Sequence, residues 1–204
     1  FFAGLGFGWF TVRGGVGTTT SIGLVPGLLG YALLMVLIGF HEEVFMRGYL
    51  LTNLYEGFQF LGNRVALVVA TALSSSMFAG LHTLNPNASI VSTLGIFTLS
   101  LLFSAGYIFT DSLGFPVGAH ITWNFTMGVG FGLPVSGMET TAFLVDGAET
   151  GPDIFTGGTF GPEAGVLGVV ALLAGVVLCY LWASTIRPGN NDPIHLHNRT
   201  GEEA

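Results

Sequence analysis

The 204-residue sequence has no lysine, five arginines and a single cysteine. Without lysine, and with a formal net charge of −7, it offers no basic face to neutralise a phosphate backbone, which excludes nucleic-acid binding by charge. The lone Cys179 sits inside an apolar run; it excludes a disulfide framework and reads as a small packed hydrophobe. Charge of either sign is scarce. Only 8% of residues are charged, about a third of the usual ~25% of a soluble domain. So little polar surface cannot clothe a 21.4 kDa body, and a mean hydropathy of +0.71 makes lipid the expected solvent. The missing lysine and a pI near 4.9 fit a host that favours acidic proteins. The expected location is therefore the plasma membrane of a prokaryote, haloarchaeal by composition. The chain starts at Phe1 with no stretch that reads as a cleavable signal peptide, and is expected to be a fragment or a processed product.

What is abundant is apolar sequence in runs, and a spanning helix needs roughly 20 such residues. Five segments are expected: Ile22 to Phe40, continuing as a more polar helix toward Tyr55; Arg64 to Leu84; Ala88 to Thr110; Pro116 to Leu133; and Ala164 to Ile186. Asn85-Pro86-Asn87 and Arg187-Pro188-Gly189 break helices, Asp111 to Gly114 makes a tight connection, and Pro116 suits a first helical turn. Phe1 to Phe10 reads as the end of an earlier span. Residues 134–163 form a Gly- and Pro-rich loop carrying Glu139, Asp146, Glu149, Asp153 and Glu163 with no basic residue, and 190–204 form a polar tail. The expected architecture is all-α, a polytopic integral membrane helical bundle of about five to six transmembrane helices. Residues 1–189 are taken as one domain with its motif core at 22–133. If the fifth segment ends in the cytoplasm, parity places Arg64, Arg187 and Arg199 inside, with Arg13 and the acidic loop outside, in line with the positive-inside rule. Glycines such as Gly128 and Gly132 are read as helix-packing positions.

An ionisable residue inside a span costs about 2.5–3.5 kcal/mol on insertion scales and marks function. Three clusters accept that cost: His41-Glu42-Glu43-Val44-Phe45-Met46-Arg47, His82 after Ser74 to Leu81, and His120-Ile121-Thr122-Trp123-Asn124. Glu43 and Arg47 are i and i+4 with the acid first, the favourable order for a helical ion pair. Glu42 lies about 100° round the helix from Glu43 and is left as a free carboxylate, the form a general base takes. His120 and Asn124, again i and i+4, share a face and can donate to one oxygen, as in an oxyanion hole.

Taken together, Glu42-Glu43-x-x-x-Arg47, Phe78-x-x-x-His82 and His120-x-x-x-Asn124 resemble the three-motif signature of the CPBP intramembrane proteases. That family includes the type II CAAX prenyl endopeptidases and the Abi-type bacteriocin self-immunity proteins. The resemblance spans roughly Ile22 to Leu133. It implies peptide-bond hydrolysis within the membrane: Glu42 with His82 activating water, His120 with Asn124 holding the oxyanion, and Glu43 and Arg47 shaping the site. The family is described both as metallopeptidase and as glutamate-dependent without metal. No cofactor is the preferred reading; zinc held by Glu42, His82 and His120 is the alternative, since those ligand types suit a catalytic site with one open position. The implied partners are the lipid bilayer and a membrane-associated peptide or protein substrate.

Other signals fall away. Position 45 is Phe, so His41-Glu42 does not begin a zincin helix, and Gly14 to Thr18 lacks the lysine of a phosphate loop. His195 and His197 lie in the polar tail, and Asp111 reads as a turn residue. Two rival functions remain: a proton-coupled transporter, because buried Glu and His also build proton relays, and a non-catalytic immunity or partner protein. One tension stands. By residue count His82 falls near the outer end of its segment and His120 near the inner end of its own. A shared site needs either shifted segment ends or a helix broken within the membrane around Asn85-Pro86, which is tolerated where backbone lines a wet cavity.

Overall fold

The computed structural model describes residues 1–186. The expectations for Arg187 to Gly189, Arg199, His195, His197 and the tail lie outside the described residues. The chain opens with a five-residue helix α1 (Phe2–Gly6), β1 (Phe10–Gly14) and β2 (Gly17–Thr18), so Phe1 to Phe10 turns into a strand where a span end was expected. Then come α2 (Leu24–Glu43), a π-helical stretch Val44–Leu51 and α3 (Thr52–Gly57), which run on as one 34-residue helix. They are followed by α4 (Asn63–His82), α5 (Ile90–Thr110) and α6 (Gly114–Phe125), the last extended by a π turn at Thr126–Gly130. The acidic segment carries β3 (Ala142–Phe143), β4 (Asp146–Glu149) and α7 (Asp153–Thr156), and α8 (Val166–Ile186) closes the described chain.

Four of these helices are long and apolar enough to cross a membrane: Leu24–Gly57, Asn63–His82, Ile90–Thr110 and Val166–Thr185. Their outward faces carry Leu33, Leu37 and Phe40 on α2 and Val170, Leu173, Val177 and Leu181 on α8, all exposed. In water such faces would be untenable; in lipid they are the solvated surface. The protein is an integral membrane helical bundle. The fourth expected segment is the shortest: residues 114–130 make about 25 Å of helix at 1.5 Å per residue, at the low end of the ~17–25 residues that cross a ~30 Å hydrocarbon core.

Local sequence explains the helix ends. Ser89 and Ser92 cap α5 reciprocally, each hydroxyl accepting the other's backbone N–H. Asp111, at φ 52°, stops α5 in a left-handed turn. Inside the bundle, Met46, Phe78, Ile96, Leu99, Phe103 and Leu172 form one buried cluster. A second, around Leu51, Tyr55, Ala66, Ala70 and Tyr107, seals α3 against α4 and α5.

The acidic segment is more ordered than a solvated loop. β4 pairs antiparallel with β1 and β3 with β2, and Arg13 holds Asp146 at 2.7 Å. Arg13 and the acidic segment therefore lie on the same side of the bundle, as parity requires. Two-stranded ribbons of this size are marginal alone; here they rest on helix ends, with Ala142 packed against Gly27 of α2.

Candidate active site

The site is built where α2 gives way to its π-helical continuation. A π turn widens the helix and leaves carbonyls without their usual i+4 donors. Ser74 Oγ on α4 donates to the Met46 carbonyl at 3.0 Å and Thr52 Oγ1 to that of Arg47 at 3.1 Å. The serine-rich stretch before His82 thus helps to hold the irregular helix that presents the acids.

Glu43 and Arg47 are fully buried, and Arg47 Nη1 donates to Glu43 Oε1 at 2.9 Å. Arg47 Nη2 donates to the Ser100 carbonyl at 3.0 Å and also to its hydroxyl. The guanidinium lies 4.8 Å from the Phe78 ring centre and 5.4 Å from that of Phe103, contacts favourable to a cation out of water. Glu43 Oε1 also accepts from His120 Nδ1 at 2.8 Å. His120 stacks on Phe103 at 4.8 Å and is 3% exposed. With Nδ1 donating to Glu43, its Nε2 faces Glu42 Oε2 at 3.9 Å. On α4, His82 Nδ1 lies 2.8 Å from the Phe78 carbonyl. A carbonyl only accepts, so Nδ1 of His82 carries a proton, and in the neutral imidazole Nε2 is the nitrogen with the lone pair. Glu42 is the less enclosed acid, its side chain 28% exposed, and its Oε2 has no hydrogen-bond partner among the described residues.

All four predicted chemical side chains, Glu42, His82, His120 and Asn124, line one cavity of about 160 Å³. Its other walls are mainly apolar: Met35 and Ile38 of α2, Leu81, and Val135 and Met138 of the acidic segment. A cavity of about 460 Å³ elsewhere is lined by Arg13, Glu139, Asp146 and Glu149 and contains none of the predicted site residues, so size does not pick out the site. His82, at the end of α4, and His120, midway along α6, meet at one cavity. Arg47 meets Ser100, the eleventh of 21 residues in α5, and Phe78 beside it lies one turn before His82, where α4 ends. The backbone from Thr83 to Ala88 completes that connection without regular helix, and Asn85 joins the cavity lining.

Close approach of α2 and α6 brings the acids to His120. A Cβ on Gly39 would sit 2.7 Å from Ile121 Cγ1 and 3.3 Å from its backbone N. Gly39→Ala should wedge α6 away from α2 and stretch the Glu43–His120 bond. Displacements of about 1 Å can cost on the order of 10²-fold in rate, so kcat/KM should fall roughly ten- to hundredfold. Gly30→Ala, with nothing within 4 Å, should change it little. Equal kinetics for the two variants would show that the helix contact does not set the site.

Spacing did not reveal Ser100, Phe103, Asn85 or the Val135–Met138 wall, nor the burial of Glu163. Only the run Gly161-Pro162-Glu163-Ala164, an acid among small apolar residues, hinted at the last.

A carboxylate with an open oxygen, two imidazoles of fixed orientation and an amide, around one small cavity inside a helical membrane bundle, is the equipment of a membrane-embedded hydrolase. The family model for type II CAAX prenyl endopeptidase, Rce1-like, matches residues 24–126, just over half of the chain and the stretch that holds every one of these side chains. The chain belongs to that family and is a CAAX-type intramembrane protease. No curated protein and no solved structure matches it.

Proposed function

We propose that this protease hydrolyses a peptide bond of a membrane-associated protein or peptide with water activated by Glu42 and His82, the oxyanion being held by His120 and Asn124. The observation that carries the reading is the convergence of these four side chains on one cavity. Water there gives one hydrogen bond to Glu42 and one to the Nε2 lone pair of His82. As its oxygen bonds to the scissile carbonyl carbon, Glu42 takes the proton and the carbonyl oxygen becomes an oxyanion. Collapse breaks the C–N bond, and Glu42 returns the proton to the leaving amine. His120 donates to the oxyanion from Nε2 only when that nitrogen is protonated. Its Nδ1 already serves Glu43, so the donor is the imidazolium, flanked by Glu42 and Glu43. Apolar walls fit an aliphatic side chain next to the scissile bond.

Zinc on Glu42, His82 and His120 is the competing mechanism. Both histidines turn Nδ1 to a fixed acceptor, an orientation that metal ligands also use. Among the described residues, however, no three His, Cys, Asp or Glu side chains are grouped to hold an ion. The mechanism above is written without a metal, and no step here runs through one.

Asn124→Ala separates an oxyanion donor from a residue that only joins helices. Losing one such donor typically costs about 10²–10³ in kcat with KM changing much less. Stability should stay within about 1 kcal/mol, near the average for interhelical hydrogen bonds in lipid. A lowered unfolding midpoint with unchanged kcat per folded molecule would remove Asn124 from the mechanism.

A further inference from the structure

Glu163 lies in the short turn Pro162–Ala164 just before α8, yet it is 0% exposed. Its carbonyl oxygen fills the space that a Cβ on Gly95 of α5 would need, so this stretch is pressed into the bundle. Trp123 Nε1 donates to Glu163 Oε1 at 3.2 Å, and Ser136 Oγ donates to the same oxygen at 3.5 Å. Oε2 is buried with no hydrogen-bond partner. A buried, half-satisfied carboxylate is an expensive way to fill space, which argues that it does something an apolar residue would not.

Its two donors lead to the site from opposite sides. Trp123 precedes Asn124 on α6 and lies one turn after His120. Ser136 lines the cavity with Val135 and Met138, and its carbonyl accepts from Asn85 Nδ2 at 2.9 Å; Asn85 lies three residues beyond His82. Ser136 also holds φ 49°, a left-handed conformation that a non-glycine residue keeps only where its surroundings impose it.

Resting on the protease reading above, we propose that Glu163 is a positioning residue for the site: one carboxylate oxygen ties α6 at Trp123 to the cavity wall at Ser136. It thereby fixes Asn124 relative to the His82 side of the cavity. Burial pushes its carboxyl up to about 6, against opposing hydrogen bonds from its own backbone, Trp123 and Ser136. The titratable groups that feel its charge are Tyr31 on α2 and Glu149 on β4, the latter itself pushed by burial to about 7.

The test has two arms, both on the full chain in detergent. The first follows the ¹⁵N indole resonance of Trp123, assigned by its loss in Trp123→Phe, with Glu149→Gln as background. It should move with a midpoint near pH 6, the value for Glu163, whether or not Glu42 is replaced by Gln, and stay fixed in Glu163→Gln. The second arm is kinetic. Glu163→Leu and Ser136→Ala should each lose about tenfold or more in kcat/KM, mostly in kcat, as misplacement of a catalytic group predicts. Glu163→Gln keeps an oxygen for both donors and should recover most of the activity, which a need for mere bulk would not predict. Should Glu163→Leu fail to fold, Ser136→Ala decides this arm. A pH-independent Trp123 resonance, or unchanged kcat/KM on breaking the tie, overturns the proposal. Absence of turnover in the wild type would instead overturn the protease reading, and the indole titration would still decide the Glu163 contact.

Discussion

Glu42→Gln is expected to lower kcat by about 10²–10⁴-fold, the usual contribution of a positioned general base, while the protein folds as before. Glutamine is a near-isostere, and Glu42 makes no ion pair with Arg47 that its loss would strand: Nη1 and Nη2 of the guanidinium are held by Glu43 and Ser100. The substitution removes the basic oxygen and leaves the shape of the cavity. Turnover should be read per folded molecule, alongside the thermal midpoint. Equal turnover in wild type and variant would remove Glu42 from the chemistry.

Glu43→Gln should act mainly on stability. The Glu43–Arg47 pair is fully buried on both sides, and breaking such a pair costs about 3–5 kcal/mol because a buried charge is left uncompensated. Its Oε1 also fixes Nδ1 of His120, so the surviving folded fraction should show a lower kcat as well. Arg47→Leu in the same background should recover part of the lost stability, since replacing both partners of a buried pair by apolar groups is often close to neutral. Chemical unfolding of the two variants, compared with wild type, checks both statements. A single variant as stable as wild type would mean that the pair contributes little.

The Glu43–Arg47 pairing, the open carboxylate on Glu42 and the shared face of His120 and Asn124 were all readable from spacing. An α-helix repeats every 3.6 residues, and in lipid each ionisable residue stands out against an apolar background. The spans were readable for the same reason, to within about two residues at most ends. The π-helical stretch after Glu43 was not, because a widened turn depends on donors from elsewhere, Ser74 on α4 among them. The shortness of α6 escaped for another reason: residues 114–130 are apolar enough to read as a full-length span, and only the count of helical residues shows how short they are. The order within the acidic segment was least readable. Five acids without a base look like a solvated loop, and four of them lie among its ribbons, turns and outer cavity. Glu163 alone is drawn into the core by Trp123 and Ser136, partners 40 and 27 residues away, a pairing no local pattern encodes.

The most direct test of the central claim is to incubate purified full-length protein, pre-treated with chelator, with a peptide library in detergent and to read new termini by mass spectrometry. The predicted result is a set of new termini with the wild type and none with Glu42→Gln. Equal products from both proteins would contradict the account, as would zinc bound one to one whose removal abolishes cleavage and whose return restores it.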